Sequence, residues 1–463
     1  MKKFNKQIGE ILNQNIFEGK LFLILLTSTI FVLSYNILNY QIYFGYDADA
    51  HIRYVNTFAM YLPKTFRIPL NYETYEFFSP PMGYIFPALV QVVCRNIANA
   101  GDLVSYCVPI YGKFTQIFQS FLYLFTIYFY MKTINLFLGK KGSINFSIFL
   151  LISLLTVNYR TISMIRGEPY ILFFLSIAMY LFLLIIKSNF QNSRKILFML
   201  GIALGFLGIS RQWGLLIFPS FFICFLFVEN KNKKKYLKML LIVFSIALII
   251  IAPFFASLYQ NYGSITSFNK DSYGFDLKNQ PFYFYNPFNF DALNVFVKPI
   301  RGNFDNQLLP ILYSDLWGDY WGYFSFTSNY LEEGRNQMKI GDYLARVNIL
   351  SVYPTLLFAI GFINLKRIKT NQIFSNFIRF AIISSFIGYF WFLVSYPEIP
   401  SGDTIKSTYI IQLFHLLALS AAIYLERIKE SNLKRYNIMV MTLIIIYFHN
   451  ISAMLSHFGN VSI

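Results

Sequence analysis

Runs of about twenty apolar residues recur through nearly the whole of this chain. A helix of that length spans the hydrocarbon core of a bilayer. Inside lipid only helices and closed barrels satisfy their backbone hydrogen bonds. The runs are continuous rather than alternating, so the helical solution holds. Charged residues make up only 13% of the sequence, against about 25% in soluble domains. The sequence therefore predicts an all-α polytopic membrane protein. Helices fall near 21–40, 107–131, 144–159, 169–186, 196–210, 212–228, 239–258, 348–365, 376–395, 407–425 and 436–455. That is about eleven transmembrane helices. The first run is long and no small-residue cleavage site follows it, so it reads as a span and not a signal peptide.

The net charge of +17 is distributed unevenly. One set of loops holds 22 basic and 5 acidic residues, among them Lys2, Lys3, Lys6, Lys140, Lys233 to Lys235, Lys366 and Lys434. The opposite loops hold 16 basic and 17 acidic residues. The positive-inside rule makes the basic set cytoplasmic, with the N-terminus inside. This bias, together with anionic lipid, accounts for the basic balance without a nucleic-acid partner. The expected location is a bacterial inner (plasma) membrane; heavy use of Ile, Lys, Asn, Phe and Tyr fits an AT-rich genome.

The polar length is asymmetric too. The basic loops are short, whereas two opposite loops, 41–106 and 259–347, are long. A large outer face predicts work done outside. No linker or repeat divides the chain, so 1–463 reads as a single domain. Within the first outer loop, Ser79-Pro80-Pro81 precedes an apolar stretch from Met82 to Asn96. Proline suits a helix start, and the stretch is too short to span, so it reads as an interfacial helix. The second loop carries aromatic runs at 281–285 and 316–324. They fit either an aromatic belt or a platform for a sugar ring or an isoprenoid. Of the three cysteines, Cys94 and Cys107 face the outer side. A disulfide is open to them, but free buried thiols are the favoured expectation.

The chemistry-bearing residues gather at the outer ends of the helices. Asp47 and Asp49 open the first outer loop directly after the first span. Two positions apart, they share a face if the segment is extended but not if it is helical. Such a carboxylate takes a proton from an acceptor hydroxyl; the bland alternative is a helix cap. His51 either tunes that site or hydrogen-bonds within the loop. Arg166-Gly167-Glu168-Pro169 starts a span, and ionisable residues at that depth tend to mark function. An Arg–Glu structural pair is the competing reading. Arg211 sits at a tight outer turn, where its guanidinium can grip phosphate or anchor to headgroups. Asp319 interrupts the second aromatic run. Lys406 precedes a helix starting at Ser407, whose free amides would favour an anion. No spacing marks a metal site, although Asp47 and Asp49 are the pair that would hold a divalent metal.

This pattern resembles the GT-C glycosyltransferases: one span, an acidic motif opening a long outer loop, then Pro-Pro and an interfacial helix. Within them it is most similar to the protein O-mannosyltransferase and aminoarabinose transferase group, and more distantly to the oligosaccharyltransferase catalytic subunits. The family often has His-Pro-Pro where this chain has Ser79-Pro80-Pro81. The resemblance implies a GT-C-like fold and a polyprenyl-phosphate sugar donor. It implies Asp47 as catalytic base, with Asp49 next, and Lys406 near the lipid phosphate. It implies no cofactor in many members and a divalent metal in the oligosaccharyltransferases.

The resulting expectation is an inverting membrane glycosyltransferase. Asp47 and Asp49 are the catalytic candidates, and His51, Arg166, Glu168, Arg211, Asp319 and Lys406 the substrate-binding ones. Its partners would be membrane lipids, the polyprenyl-phosphate sugar, and an acceptor lipid, glycan or protein. The alternatives are a lipid-linked sugar flippase or transporter and a surface-polysaccharide polymerase or ligase. A transporter more often shows repeated halves and helices broken at the midplane.

Overall fold

A computed structural model describes residues 16–98, 104–140, 142, 144–191, 194–302, 306–325, 337–368 and 371–457. Lys2, Lys3, Lys6 and parts of both long loops (99–103, 303–305 and 326–336) lie outside the described residues. The helices are α1 (Ile16–Asn39), α2 (Ala48–Tyr61), α3 (Met82–Ala98), α4 (Val104–Leu138), α5 (Asn145–Ser153), α6 (Thr156–Ser163), α7 (Glu168–Lys187) and α8 (Arg194–Ser210). They continue with α9 (Phe218–Cys224), α10 (Asn230–Tyr262), α11 (Phe282–Tyr285), α12 (Leu308–Trp317), α13 (Gln337–Asn364), α14 (Gln372–Ser395), α15 (Ile411–Ser431) and α16 (Leu433–Met454).

The protein is a multi-pass integral membrane protein. Among the described residues, eight helices are long and apolar enough to cross a membrane, or nine if α5 and α6 form one span. The remaining three apolar runs are bent, short or broken. The run at 144–159 bends by 66° between α5 and α6. At the bend Leu155 is extended (φ −71°, ψ 103°). The carbonyls freed there are recovered by side chains: Asn158 donates to Ile152 O and Tyr159 to Ser153 O, each at 2.8 Å. Such recapture is what makes a break tolerable in lipid. The run at 196–210 forms only the 17 residues of α8. The run at 212–228 breaks into a 3₁₀ turn, the seven-residue α9 and another 3₁₀ turn.

Helix α15 is the centre of the bundle, with 89% of its most apolar window buried, whereas α10 is peripheral at 28%. The short α8 packs very closely on α10. A methyl on Gly201, Gly205 or Gly208 would meet Ile246, Ile250 or Ile251 at 2.5–2.7 Å. Small residues at helix contacts allow this approach in membranes.

One face gathers helix ends through ion pairs: Lys140 with Glu426 and Glu430, and Lys429 with Glu18. The other face carries the long loops. The first holds α2 and α3, and Pro81 O accepts from Tyr84 N and Ile85 N at the start of α3. Cys94 at the end of α3 is joined to Cys107 in α4 by a disulfide, so the free-thiol expectation is corrected. They lie 13 positions apart, with their Cα atoms 6.0 Å from each other. The second long loop is narrower than 259–347, because α10 continues to Tyr262 and α13 begins at Gln337.

Candidate active site

Asp47 takes a left-handed conformation, φ 52° and ψ 31°, immediately before α2. Aspartate is among the few residues that tolerate this region. The Asp47 carbonyl accepts the first helical hydrogen bond, from His51 N at 3.0 Å. Its side chain does not cap the helix. The carboxylate is therefore left free, 49% exposed, on the wall of a cavity of about 180 Å³. Tyr46 fixes this position from several sides. Its hydroxyl donates to Asp315 Oδ1 at 3.0 Å, its carbonyl accepts from Arg166 at 3.0 Å, and its ring lies 4.8 Å below Lys406 Nζ.

Lys406 faces Asp47 across the cavity, with Nζ 3.6 Å from Oδ2. Among the described residues the ammonium makes no hydrogen bond beyond this ion pair. It holds the Asp47 carboxyl below the usual carboxylate value, against the opposing effects of burial and Glu76. The reason given for Lys406 needs correction. The Ser407 amide is not free for a ligand, because it donates to Asp315 Oδ2 at 2.7 Å. The cation at this place is the side chain alone.

Arg211 also lines the cavity. Its Nη1 donates to Glu76 Oε2 at 2.9 Å and to Ser79 Oγ at 2.6 Å, and its Nε lies 3.6 Å from Glu168 Oε1. Glu76 was not singled out by the sequence, because a lone carboxylate in a long loop has no motif. It lines the same cavity while being 3% exposed. Burial alone would raise its carboxyl, but Arg211, His51 and the Ser79 hydroxyl override it and leave it well below the usual range.

The other predicted residues support the wall from behind. His51 is buried; its Nδ1 pairs with Tyr84 OH at 2.7 Å and its Nε2 lies 3.8 Å from Glu76. Burial pulls its pKa down to about 3, so the ring is neutral. Arg166 and Glu168 are buried, and neither lines the cavity. Asp319 is buried as well: it accepts from Arg160 at 3.3 Å and from the amides of Phe324 and Ser325 at 2.8 Å each. It shapes the loop that carries Trp321 and Tyr323, which do line the cavity. The aromatic run is thus a cavity wall and core rather than an exposed belt: Trp317, Tyr320, Trp321 and Phe324 are all buried. Asp49 stands apart. It lies in the first turn of α2, its carboxylate pairs with Arg53 at 2.8 Å, and it is 74% exposed. The helical spacing separates it from Asp47, as period 3.6 requires.

No protein-family model matches this chain, and no curated protein matches it. Solved structures do. An oligosaccharyltransferase from Archaeoglobus fulgidus, in complex with Zn and sulfate, matches with a TM-score of 0.52 at 12% identity, over 94% of this chain and 53% of its own. The fold is GT-C-like. ArnT from Cupriavidus metallidurans, bound to undecaprenyl phosphate, matches with a TM-score of 0.49 at 12% identity, over 90% of this chain and 62% of its own. The chain thus covers less than two thirds of the length of either protein.

Among the described residues no three His, Cys, Asp or Glu side chains are grouped for a metal. Asp47 has an ammonium opposite it, and Asp49 is engaged by Arg53.

Proposed function

We propose that this protein is a membrane glycosyltransferase that moves a sugar from a polyprenyl-phosphate-linked donor to an acceptor hydroxyl on the extracytoplasmic face. The observation that carries this reading is one cavity lined by a carboxylate, Asp47, together with two cations, Lys406 and Arg211.

The chemistry follows from that opposition. Asp47 is held ionised and takes the acceptor hydroxyl proton. The acceptor oxygen attacks the anomeric carbon as the bond from that carbon to the phosphate oxygen breaks. The electron pair leaves with the polyprenyl phosphate, whose added charge Lys406 and Arg211 stabilise. No enzyme nucleophile intervenes, so the anomeric configuration inverts. The donor's lipid tail lies among the spans, and the aromatic wall of Trp213, Phe268, Phe392 and Tyr409 suits its first isoprene units. The oligosaccharyltransferase activity named for the archaeal protein of the same fold supports the reaction class.

The test is turnover by purified protein in detergent. Polyprenyl-phosphate sugars of several kinds are supplied with a cell-envelope extract as acceptor, with and without a chelator. Release of polyprenyl phosphate with the sugar covalently placed on the acceptor is the expected result. Movement of the intact donor across proteoliposomes without any cleavage would contradict the reading and favour a flippase.

A further inference from the structure

A second concavity abuts the first. It is an open cleft of about 350 Å³ that shares Phe268, Asn269 and Lys270 with the Asp47 cavity. Its remaining wall comes from the first long loop, through Asn71, Tyr75 and Phe77. The two loops are pinned to each other and to α10. Asn71 N donates to Tyr262 OH at 2.9 Å, the rings of Phe77 and Tyr262 lie 4.7 Å apart, and those of Phe78 and Phe268 lie 5.3 Å apart. Lys270 is tied in turn to Glu398. The short segment 268–270 therefore forms a fixed partition with the candidate chemistry on one side and the cleft on the other.

The chemistry of the cleft is specific. Tyr75 is 68% exposed, and its ring has no described aromatic partner. Among the described residues the side-chain amides of Asn71 and Asn269 and the carboxylate of Asp271 make no hydrogen bond, and all three residues are exposed at its rim. An amide presents one acceptor and two donors side by side, which matches a pair of neighbouring hydroxyls. An aromatic face supplies apolar area with an electron-rich surface, which matches the C–H face of a pyranose. A lipid acceptor would need an apolar wall, which this polar rim does not offer.

We propose that this cleft is an acceptor subsite for carbohydrate. The penultimate sugar of a glycan lies on Tyr75 between Asn71 and Asn269, and the terminal hydroxyl reaches past the 268–270 partition to Asp47. This deepens the transferase reading and rests on it for the word acceptor, though not for the binding itself.

The experiment measures binding separately from turnover. The protein, in a detergent without a sugar headgroup, is titrated with a panel of neutral trisaccharides and followed by saturation-transfer NMR. The comparison proteins are Tyr75→Ala and Asn71→Ala, both at exposed positions. At least one trisaccharide should bind the wild type saturably, and at least tenfold more weakly to each variant. Both variants should bind polyprenyl phosphate as the wild type does. Binding of no trisaccharide, equal binding to both variants, or saturable binding of an unglycosylated peptide weakened by the same substitutions would each overturn the proposal. Sugar binding that depends on Tyr75, in a protein that transfers nothing from any polyprenyl donor, would uphold the subsite and sink the transferase reading.

Discussion

At the scale of single residues, the site is a balance between Asp47 and the cation opposite it. Lys406 lowers the Asp47 carboxyl, so Asp47 stays ionised to a lower pH than an isolated aspartate. A base must be ionised to act, so the acid limb of the rate profile follows that value. Removing the cation lets the carboxyl rise, and the limb moves to higher pH. In Lys406→Gln the acid limb of kcat should move to higher pH, with the donor KM raised as well. A limb that stays in place would separate Lys406 from Asp47. Much of this pair was legible in the sequence, because both residues are charged and sit where a helix meets the outer face. The buried partners were not. Glu76 becomes visible only when the chain brings it to Arg211 at 2.9 Å, across 135 positions.

At the scale of elements, two joints hold the site in shape. The first is the start of α7, where Gly167 meets the end of α8. A Cβ on Gly167 would stand 2.0 Å from Ser210 O, next to Arg211. Gly167→Ala should therefore push α7 and α8 apart, costing roughly 1–3 kcal/mol by overpacking, and displace Arg211 from the cavity. The readout is a lower thermal midpoint together with a higher donor KM; an unchanged midpoint and KM would contradict the joint. The second is the disulfide that ties α3 to α4. Mass spectrometry of the unreduced protein should find Cys94 and Cys107 protected from alkylation. The double serine variant should lose roughly 3 kcal/mol of stability for a loop of this length. Alkylation of both thiols without reductant would contradict it. The sequence carried the position of α3 through its proline pair and apolar run. It did not carry the α5–α6 bend, because the run from Phe146 to Val157 reads as one continuous apolar stretch. The bend depends on Asn158 and Tyr159 reaching back to carbonyls.

At the scale of the whole molecule, the account requires that the Asp47 face point outward. Single cysteines introduced at Lys233, Lys434 and the exposed Asp276 test this, since Cys94 and Cys107 are bonded and Cys224 is buried. An impermeant thiol reagent should label Asp276→Cys in intact cells, and Lys233→Cys and Lys434→Cys only after lysis. Labelling at Lys233→Cys from outside would reverse the topology. Apolar composition located the helices but not their breaks, because a continuous apolar run does not distinguish a straight helix from a bent or 3₁₀ segment. The central claim is that an outward-facing carboxylate at Asp47 drives sugar transfer. Its most direct test is Asp47→Asn, which keeps the shape and removes the proton acceptor. In purified form the variant should bind polyprenyl phosphate normally and lose sugar transfer by at least a hundredfold. Transfer at the wild-type rate would contradict the account.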